Sequence, residues 1–444
     1  MILLLAPVGL SLAWFAFLAL RRWPLVGAAA LFLFTAVEWE IPFPSPLFGV
    51  GGTNVFPLDV LSALFLAVAA VQLPRLKANL GASRWAWYGV SVLLLVSLVR
   101  GIGAYGSGSA INEIRTFLYP YAAITWGMSL TWTRWRVRGL VGGLSLLQGW
   151  VLIGVALVHI ALYGFGQADE EILIDGLLRN QRPLISAQAI VLLFCAVVVL
   201  TQARRASRPT LWRVSGVCFL VMVLIVQERT VWAAGVAVGA AVVLIGTFHQ
   251  KRVFAASAAV IAVVVFIAQP YLTGAASFDA LAQSSQNTGT YDGRVNSWLA
   301  LIGQVQAQGP GAMLIGLPSG AGWGRFEGPG RWVEFYPHNW YVSIFLRTGL
   351  IGLAFMLAFM ALVSWRLLTR RGLARANFLV LLGTAVYGWG YGWQAETAVV
   401  LGAALSGRLA EPEPEEQFDL LPQAVEPGRA PQPDSVSRRR SSST

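Results

Sequence analysis

Histidine 338 is the side chain in this sequence best suited to acid–base chemistry. It lies in the segment Tyr336–Trp340, where a long polar stretch, 273–339, meets the next apolar run. An imidazole with its ordinary pKa of about 6.5 is a ready general base for a hydroxyl group. We therefore interpret His338 as the candidate catalytic residue, with Tyr336 and Asn339 as accessory candidates. A histidine whose orienting partner is not visible in the sequence is also compatible with a structural role.

Arginines beside apolar runs form the second group of candidates. They are Arg115, Arg182, Arg229 and Arg294. A charged side chain at membrane depth costs several kcal/mol, so it usually has a partner or faces a water-filled cavity. Several guanidinium groups on one face would suit a diphosphate, because their planar forks donate bidentately to phosphate oxygens. The sequence thus predicts an anion site, in which Arg115 is an accessory candidate.

Neutralisation by nearby carboxylates is the alternative explanation for three of these arginines. The pairs would be Arg115 with Glu113, Arg229 with Glu228, and Arg294 with Asp292. Arg325, Arg331 and Arg347 lie in or after the same polar stretch without a distinguishing context, and we interpret them as structural.

The composition indicates that lipid is the main solvent of the chain. Hydrophobic residues make up 56% of the 444 residues and charged residues only 12%, with a mean hydropathy of +0.64. Soluble domains are nearer one quarter charged. The net charge of +11 comes mostly from short basic clusters between apolar runs, the pattern of the positive-inside rule. It therefore does not predict a nucleic-acid partner. No Cys/His spacing predicts a metal site.

Apolar runs predict an all-α polytopic membrane protein of 12 transmembrane helices, or 13 if the weaker run 399–409 also crosses. The predicted spans are 2–20, 24–38, 57–73, 85–99, 110–130, 140–164, 184–203, 212–227, 230–248, 253–272, 340–363 and 376–393. The basic clusters place the stretch 273–339 outside, as one long extracytoplasmic loop. We expect a transmembrane domain over 1–410 and a disordered cytoplasmic tail over 411–444, which is rich in proline and charge.

The order of five motifs resembles the O-antigen ligase and O-antigen polymerase superfamily over about residues 180–365. The motifs are Arg182–Pro183, Gln227–Thr230, Gly293–Trp298, Pro337–Tyr341 and Thr348–Leu353. The sequence departs from the family at Glu228, where members more often carry a small or neutral polar residue.

The resemblance implies a C-type membrane glycosyltransferase that needs neither metal nor cofactor. Such enzymes lie in the cytoplasmic (inner) membrane and act on its outer face. They move a glycan from an undecaprenyl-diphosphate carrier to a hydroxyl of a glycan, lipid or protein acceptor. By motif, Arg229, Arg294 and Arg182 would bind the diphosphate, and His338 would activate the acceptor.

Two alternatives stay open from the sequence. A polymerase of carrier-linked repeat units would have the same fold and differ from a ligase in its acceptor. A non-enzymatic flippase or transporter of lipid-linked glycans would be expected to carry ionisable residues near mid-membrane. Such residues are scarce within the predicted spans.

Overall fold

The fold was examined in a computed structural model, which describes residues 2–37, 46–50, 53–130, 134–164, 171–174, 177–180, 182–272, 289–326, 332–369 and 373–406. Contacts divide the chain into the units Met1–Glu411 and Pro412–Thr444, and every described residue belongs to the first. The tail predicted over 411–444 and parts of the predicted loop (273–288 and 327–331) lie outside the described residues.

Helices dominate the described part of the chain. They are α1 (Ile2–Arg22), α2 (Pro24–Val37), α3 (Pro57–Val71), α4 (Leu73–Leu80), α5 (Arg84–Ser129), α6 (Arg134–Tyr163), α7 (Ser186–Gln202), α8 (Pro209–Ile225), α9 (Arg229–Ile245), α10 (Phe248–Leu272), α11 (Gly289–Ala307), α12 (Pro310–Ile315), α13 (Trp340–Thr369), α14 (Leu373–Gly390) and α15 (Ala395–Leu405). Three antiparallel hairpins pair β1 (Phe48–Val50) with β2 (Thr53–Val55), β3 (Glu171–Ile174) with β4 (Leu177–Asn180), and β5 (Arg325–Phe326) with β6 (Trp332–Val333). A described helix thus covers most of each segment that the apolar runs predicted as a span.

Length and composition identify three helical segments of the described chain that could cross a membrane. These are Leu73–Ser129, Val141–Tyr163 and Trp340–Leu368, and shorter apolar helices of 10–17 residues accompany them. This supports an α-helical membrane protein. The count of 12 or 13 spans and the sidedness of the loops stay predictions.

Helix α5 folds back on itself at Gly106. The backbone there has φ 81° and ψ 163°, a conformation that glycine adopts readily and other residues rarely. Trp87 stacks on Tyr121 with ring centroids 4.7 Å apart, and the Ser91 hydroxyl is hydrogen-bonded to the Tyr121 hydroxyl. In a straight helix, residues 87 and 121 would be about 50 Å apart, because each residue adds about 1.5 Å. The halves of α5 therefore match the predicted spans 85–99 and 110–130, but their connection is helical on both sides of Gly106.

Helix α13 bends at Gly349, where α12 meets it. Gly349 has φ 66°, and a Cβ at this position would lie 2.2 Å from the carbonyl oxygen of Leu314. The amide of Leu317 donates to the Leu346 carbonyl over 2.7 Å. The predicted span 340–363 therefore contains a short helical piece before the bend at Gly349. The polar stretch after α11 packs against this piece and is hydrogen-bonded to it.

A buried ion pair joins this short piece to α5. The Arg347 guanidinium donates to the Glu113 carboxylate, and their side chains are 1% and 5% exposed. The other Glu113 oxygen accepts from the amides of Gly320 and Gly322 at 3.0 and 2.8 Å. Arg347 also lies 4.2 Å from the Trp323 ring centroid. These contacts give Arg347 the structural role expected for it.

Arg115 has a different partner from the one expected. Its guanidinium forms an ion pair with Asp59 at 2.8 Å, and it also donates to Asn112 and to the Asn54 carbonyl. It lies 5.0 Å from the ring centroid of Phe56. The alternative pairing of Arg115 with Glu113 is therefore wrong, because Glu113 pairs with Arg347 and Arg115 binds the start of α3.

Candidate active site

The candidate residues meet around Tyr391, which the sequence analysis did not single out. The His338 ring lies edge-on to the Tyr391 ring, with centroids 5.8 Å apart and planes at 73°. The Arg294 guanidinium carbon is 5.0 Å from the centroid of the same ring. The Tyr391 hydroxyl donates to Glu228 over 3.0 Å. Tyr391 therefore contacts residues from three separate segments of the chain.

Arg294 reaches this cluster from the first turns of α11. One of its nitrogens donates to the Gly390 carbonyl at 3.1 Å, and another approaches the Tyr391 hydroxyl oxygen at 3.4 Å. Both acceptors are uncharged. Within the described residues, Arg294 and Asp292 form no ion pair, and Asp292 is exposed. The alternative explanation of Arg294, neutralisation by Asp292, is therefore not observed among the described residues.

Arg182 and Glu228 form the ion pair of the cluster. The nitrogen–oxygen distance is 2.5 Å, and the side chains are 15% and 4% exposed. Burial lowers the pKa of Arg182, but Glu228 and then Tyr391 raise it by more, so the guanidinium stays charged. The Tyr391 hydroxyl donates to the second oxygen of the same carboxylate. Glu228 is therefore bound by both Arg182 and Tyr391.

Arg229 begins α9, directly after Glu228, and its side chain is half-buried. Its other neighbour, Thr230, lies so close to Gly390 that a Cβ on the glycine would approach the Thr230 hydroxyl to 2.4 Å. Residues on both sides of Arg229 thus touch the cluster. This places the Arg229 backbone at its edge.

His338 has an unusual backbone and an unusual pKa. Its φ is 50°, in the left-handed region that non-glycine residues seldom adopt. Burial lowers the pKa of the imidazole, and the positive charges of Arg294 and then Arg325 lower it further, to about 4. The ring is therefore neutral at neutral pH and able to accept a proton.

Helix α11 holds the segment that carries His338. Arg294, Ser297 and Trp298 lie at positions i, i+3 and i+4, which share one helix face. The Trp298 indole N–H donates to the carbonyl of Pro337 over 2.6 Å. Because Pro337 precedes His338, this bond fixes the catalytic candidate to the same helix face as Arg294.

Arg325 connects the same parts from the other side. It is 1% exposed, and it donates to the Ser297 hydroxyl and, at 2.8 Å each, to the carbonyls of Trp323 and Phe335. Its contacts are structural, as expected. They nevertheless join α11 to the chain three residues before His338, so Arg325 helps to position the site.

Two of the three accessory candidates lie beside His338. Asn339 caps α13: its side-chain oxygen accepts from the Val342 amide at 3.0 Å. Among the described residues, its side-chain nitrogen is buried without a hydrogen-bond partner. The Tyr336 ring lies 6.2 Å from the His338 ring, and burial raises the pKa of its hydroxyl. Arg115 is different, since its described contacts go to α3, the preceding segment and Asn112 rather than to this site.

No match was found in comparisons of this chain with protein-family models and with curated proteins. Among the residues that the structure describes, no three His, Cys, Asp or Glu side chains are grouped so as to hold a metal ion. The site therefore has to be interpreted from its own geometry.

Proposed function

We propose that this protein is an inverting membrane glycosyltransferase. It would move a glycan from an undecaprenyl-diphosphate carrier to an acceptor hydroxyl on the outer face of the cytoplasmic membrane, without a metal. The observation that carries the proposal is the meeting of His338, Arg294 and Arg182 at Tyr391. These residues come from distant parts of the chain and belong to the motifs that resemble the O-antigen ligase superfamily.

The arginines would bind the diphosphate. Arg294 is the principal candidate, because its described hydrogen bonds go to neutral oxygens and no carboxylate of the described residues forms an ion pair with it. Arg182 would contribute less, since Glu228 balances its charge. Arg229, at the edge of the cluster, would complete the set. As the sugar C1–O bond breaks, negative charge grows on the departing diphosphate, and fixed guanidinium groups stabilise it.

His338 would act as the general base. In the proposed step the acceptor oxygen attacks C1 from the face opposite the diphosphate, and His338 takes the hydroxyl proton. A pKa of about 4 makes the imidazole a weak base on its own. A bound diphosphate would offset the nearby positive charge that holds this pKa down. Donor binding would therefore raise the basicity of His338 when a base is needed.

A transfer assay with His338→Ala tests the proposal. The full chain in lipid nanodiscs is given undecaprenyl-diphosphate-linked glycan and acceptor, and both glycan product and released carrier diphosphate are measured. We expect the variant to bind donor and to give no product. His249→Ala, which changes a histidine of α10 outside the described site, serves as the matched control and should react like the unmodified protein. Full transfer by His338→Ala would refute the assignment.

The acceptor distinguishes ligase from polymerase. Supplied with carrier-linked glycan alone, a polymerase lengthens the glycan, whereas a ligase needs a separate lipid, protein or glycan acceptor. The flippase alternative makes a third forecast: lipid-linked glycan crosses the bilayer of proteoliposomes and no glycosidic bond forms with any acceptor.

A further inference from the structure

An apolar cavity lies between α6, α8 and α10, away from the candidate active site. Its volume is about 810 Å³, and its walls include Trp150, Val217 and Met222. Along α8 the lining runs from Arg213 to Met222, about 13 Å at 1.5 Å per residue. That depth is close to one leaflet of a hydrocarbon core about 30 Å thick. The cavity therefore has the length and the surface chemistry of an acyl-chain site.

Two arginines contribute to the lining of this cavity, each as the first lining residue of its helix. Arg213 is in the second turn of α8 and Arg252 in the second turn of α10, and both line the cavity with exposed side chains. Neither forms an ion pair with a described residue, and none of the described lining residues is acidic. Two guanidinium groups in the lining of an otherwise apolar cavity complement a phosphate attached to a hydrocarbon chain.

The Arg213 end of the cavity is far from the proposed transferase site. Arg213 begins the lining near the start of α8, whereas Glu228 follows the end of that helix. Fifteen residues at a helical rise correspond to about 22 Å. The basic clusters near Arg213 and Arg252 predict that this end is cytoplasmic, opposite to the face predicted for His338.

We propose that this cavity binds one anionic phospholipid of the cytoplasmic leaflet. Its phosphate lies between Arg213 and Arg252, and one acyl chain fills the channel beside Trp150 and Val217. A free phosphate would leave the apolar walls uncovered. A zwitterionic lipid would bring a second, positive group to the arginine pair, so it should bind more weakly.

Native mass spectrometry of the full chain tests the proposal directly. The protein is released from nanodiscs that contain equal amounts of phosphatidylglycerol and phosphatidylcholine. We expect one retained phosphatidylglycerol per chain, preferred at least tenfold over phosphatidylcholine. Equal retention of the two lipids by the unmodified protein overturns the proposal, and this measurement needs no variant.

Two pairs of variants locate the lipid. Arg213→Gln with Arg252→Gln should lower phosphatidylglycerol retention at least tenfold. Arg204→Gln with Arg208→Gln, which removes two nearby arginines outside the lining, should not. Ala256→Phe should block the channel, whereas Ala255→Phe, next to it but not lining, should leave retention unchanged. If each control variant lost as much phosphatidylglycerol retention as the variant it is matched to, the lipid would not be bound in this cavity. That result would overturn the proposal.

Discussion

The replacement of Arg294 by glutamine should raise the pKa of His338. The guanidinium carbon of Arg294 and the His338 ring lie 5.0 and 5.8 Å from the same Tyr391 ring centroid, so they are at most about 11 Å apart. At that separation, Coulomb's law gives on the order of 0.4 kcal/mol in a water-like medium and about 1.5 kcal/mol at an effective dielectric of about 20. These energies correspond to roughly 0.3 to 1 pH unit.

The direction of the change in the His338 pKa follows from the positive charge of Arg294. A cation near an imidazole disfavours the imidazolium, so its removal favours protonation, and the pKa rises from about 4. It should stay below 6.5, because burial is the largest cause of the depression and Arg325 remains. In activity, the acid limb of kcat/KM should move to higher pH by the same amount, since that limb reports the free enzyme.

Nuclear magnetic resonance of histidine-labelled protein measures this pKa directly. The chain has only three histidines, so the His338 signal is identified by its loss in His338→Ala. Arg213→Gln is the matched control and should leave the His338 pKa unchanged, because Arg213 is far from the site. An unchanged or lower pKa in Arg294→Gln would refute the electrostatic argument, as would a normal His338 pKa in the unmodified protein.

Three further predictions concern the same site and its support. Inorganic pyrophosphate should raise the His338 pKa in the unmodified protein, and much less in Arg294→Gln; histidine titration with and without pyrophosphate measures both. Trp298→Phe keeps an aromatic ring but leaves the Pro337 carbonyl without its hydrogen-bond donor, which costs about 1–3 kcal/mol. The kcat of transfer should fall more than tenfold while binding of the lipid-linked glycan persists. An unchanged kcat would contradict this prediction. Arg347→Met should lower the free energy of unfolding by about 3–5 kcal/mol, because it leaves Glu113 buried without its cation. Thermal unfolding measures this loss, and the double variant Arg347→Met with Glu113→Gln should recover much of the lost stability.

The helices of the predicted spans could be predicted because each of them contains an apolar run of nearly the right length. The local pattern did not show where they reverse or bend. Gly106 and Gly349 are ordinary glycines in the sequence, and their positive φ depends on what the chain meets around them. The polar stretch was expected to be a loop, yet its described part is largely helical, since α11 uses one face to hold the His338 segment.

Sequence proximity predicted the partners of buried charged residues poorly. Arg115 pairs with a carboxylate 56 positions away, and Glu113 with a guanidinium 234 positions away. Pairing at such distances depends on tertiary packing and not on neighbours in the chain. Tyr391 was missed for a related reason: it lies within the predicted span 376–393, but α14 ends at Gly390, and the tyrosine therefore faces the site.

Glu228 is a departure from the family that the motifs resemble, and its contacts show how the carboxylate fits into the candidate site. One of its carboxylate oxygens accepts a hydrogen bond from the Arg182 guanidinium, and the other accepts one from the Tyr391 hydroxyl. The Glu228 carboxylate therefore balances the charge of Arg182 and orients the Tyr391 ring, which both Arg294 and His338 contact. Among the described contacts, Tyr391 lies between Glu228 and Arg294, which do not bind each other directly. Under the proposed function, Arg294 would therefore help to attract the diphosphate and, together with burial and Arg325, keep His338 neutral until the diphosphate arrives.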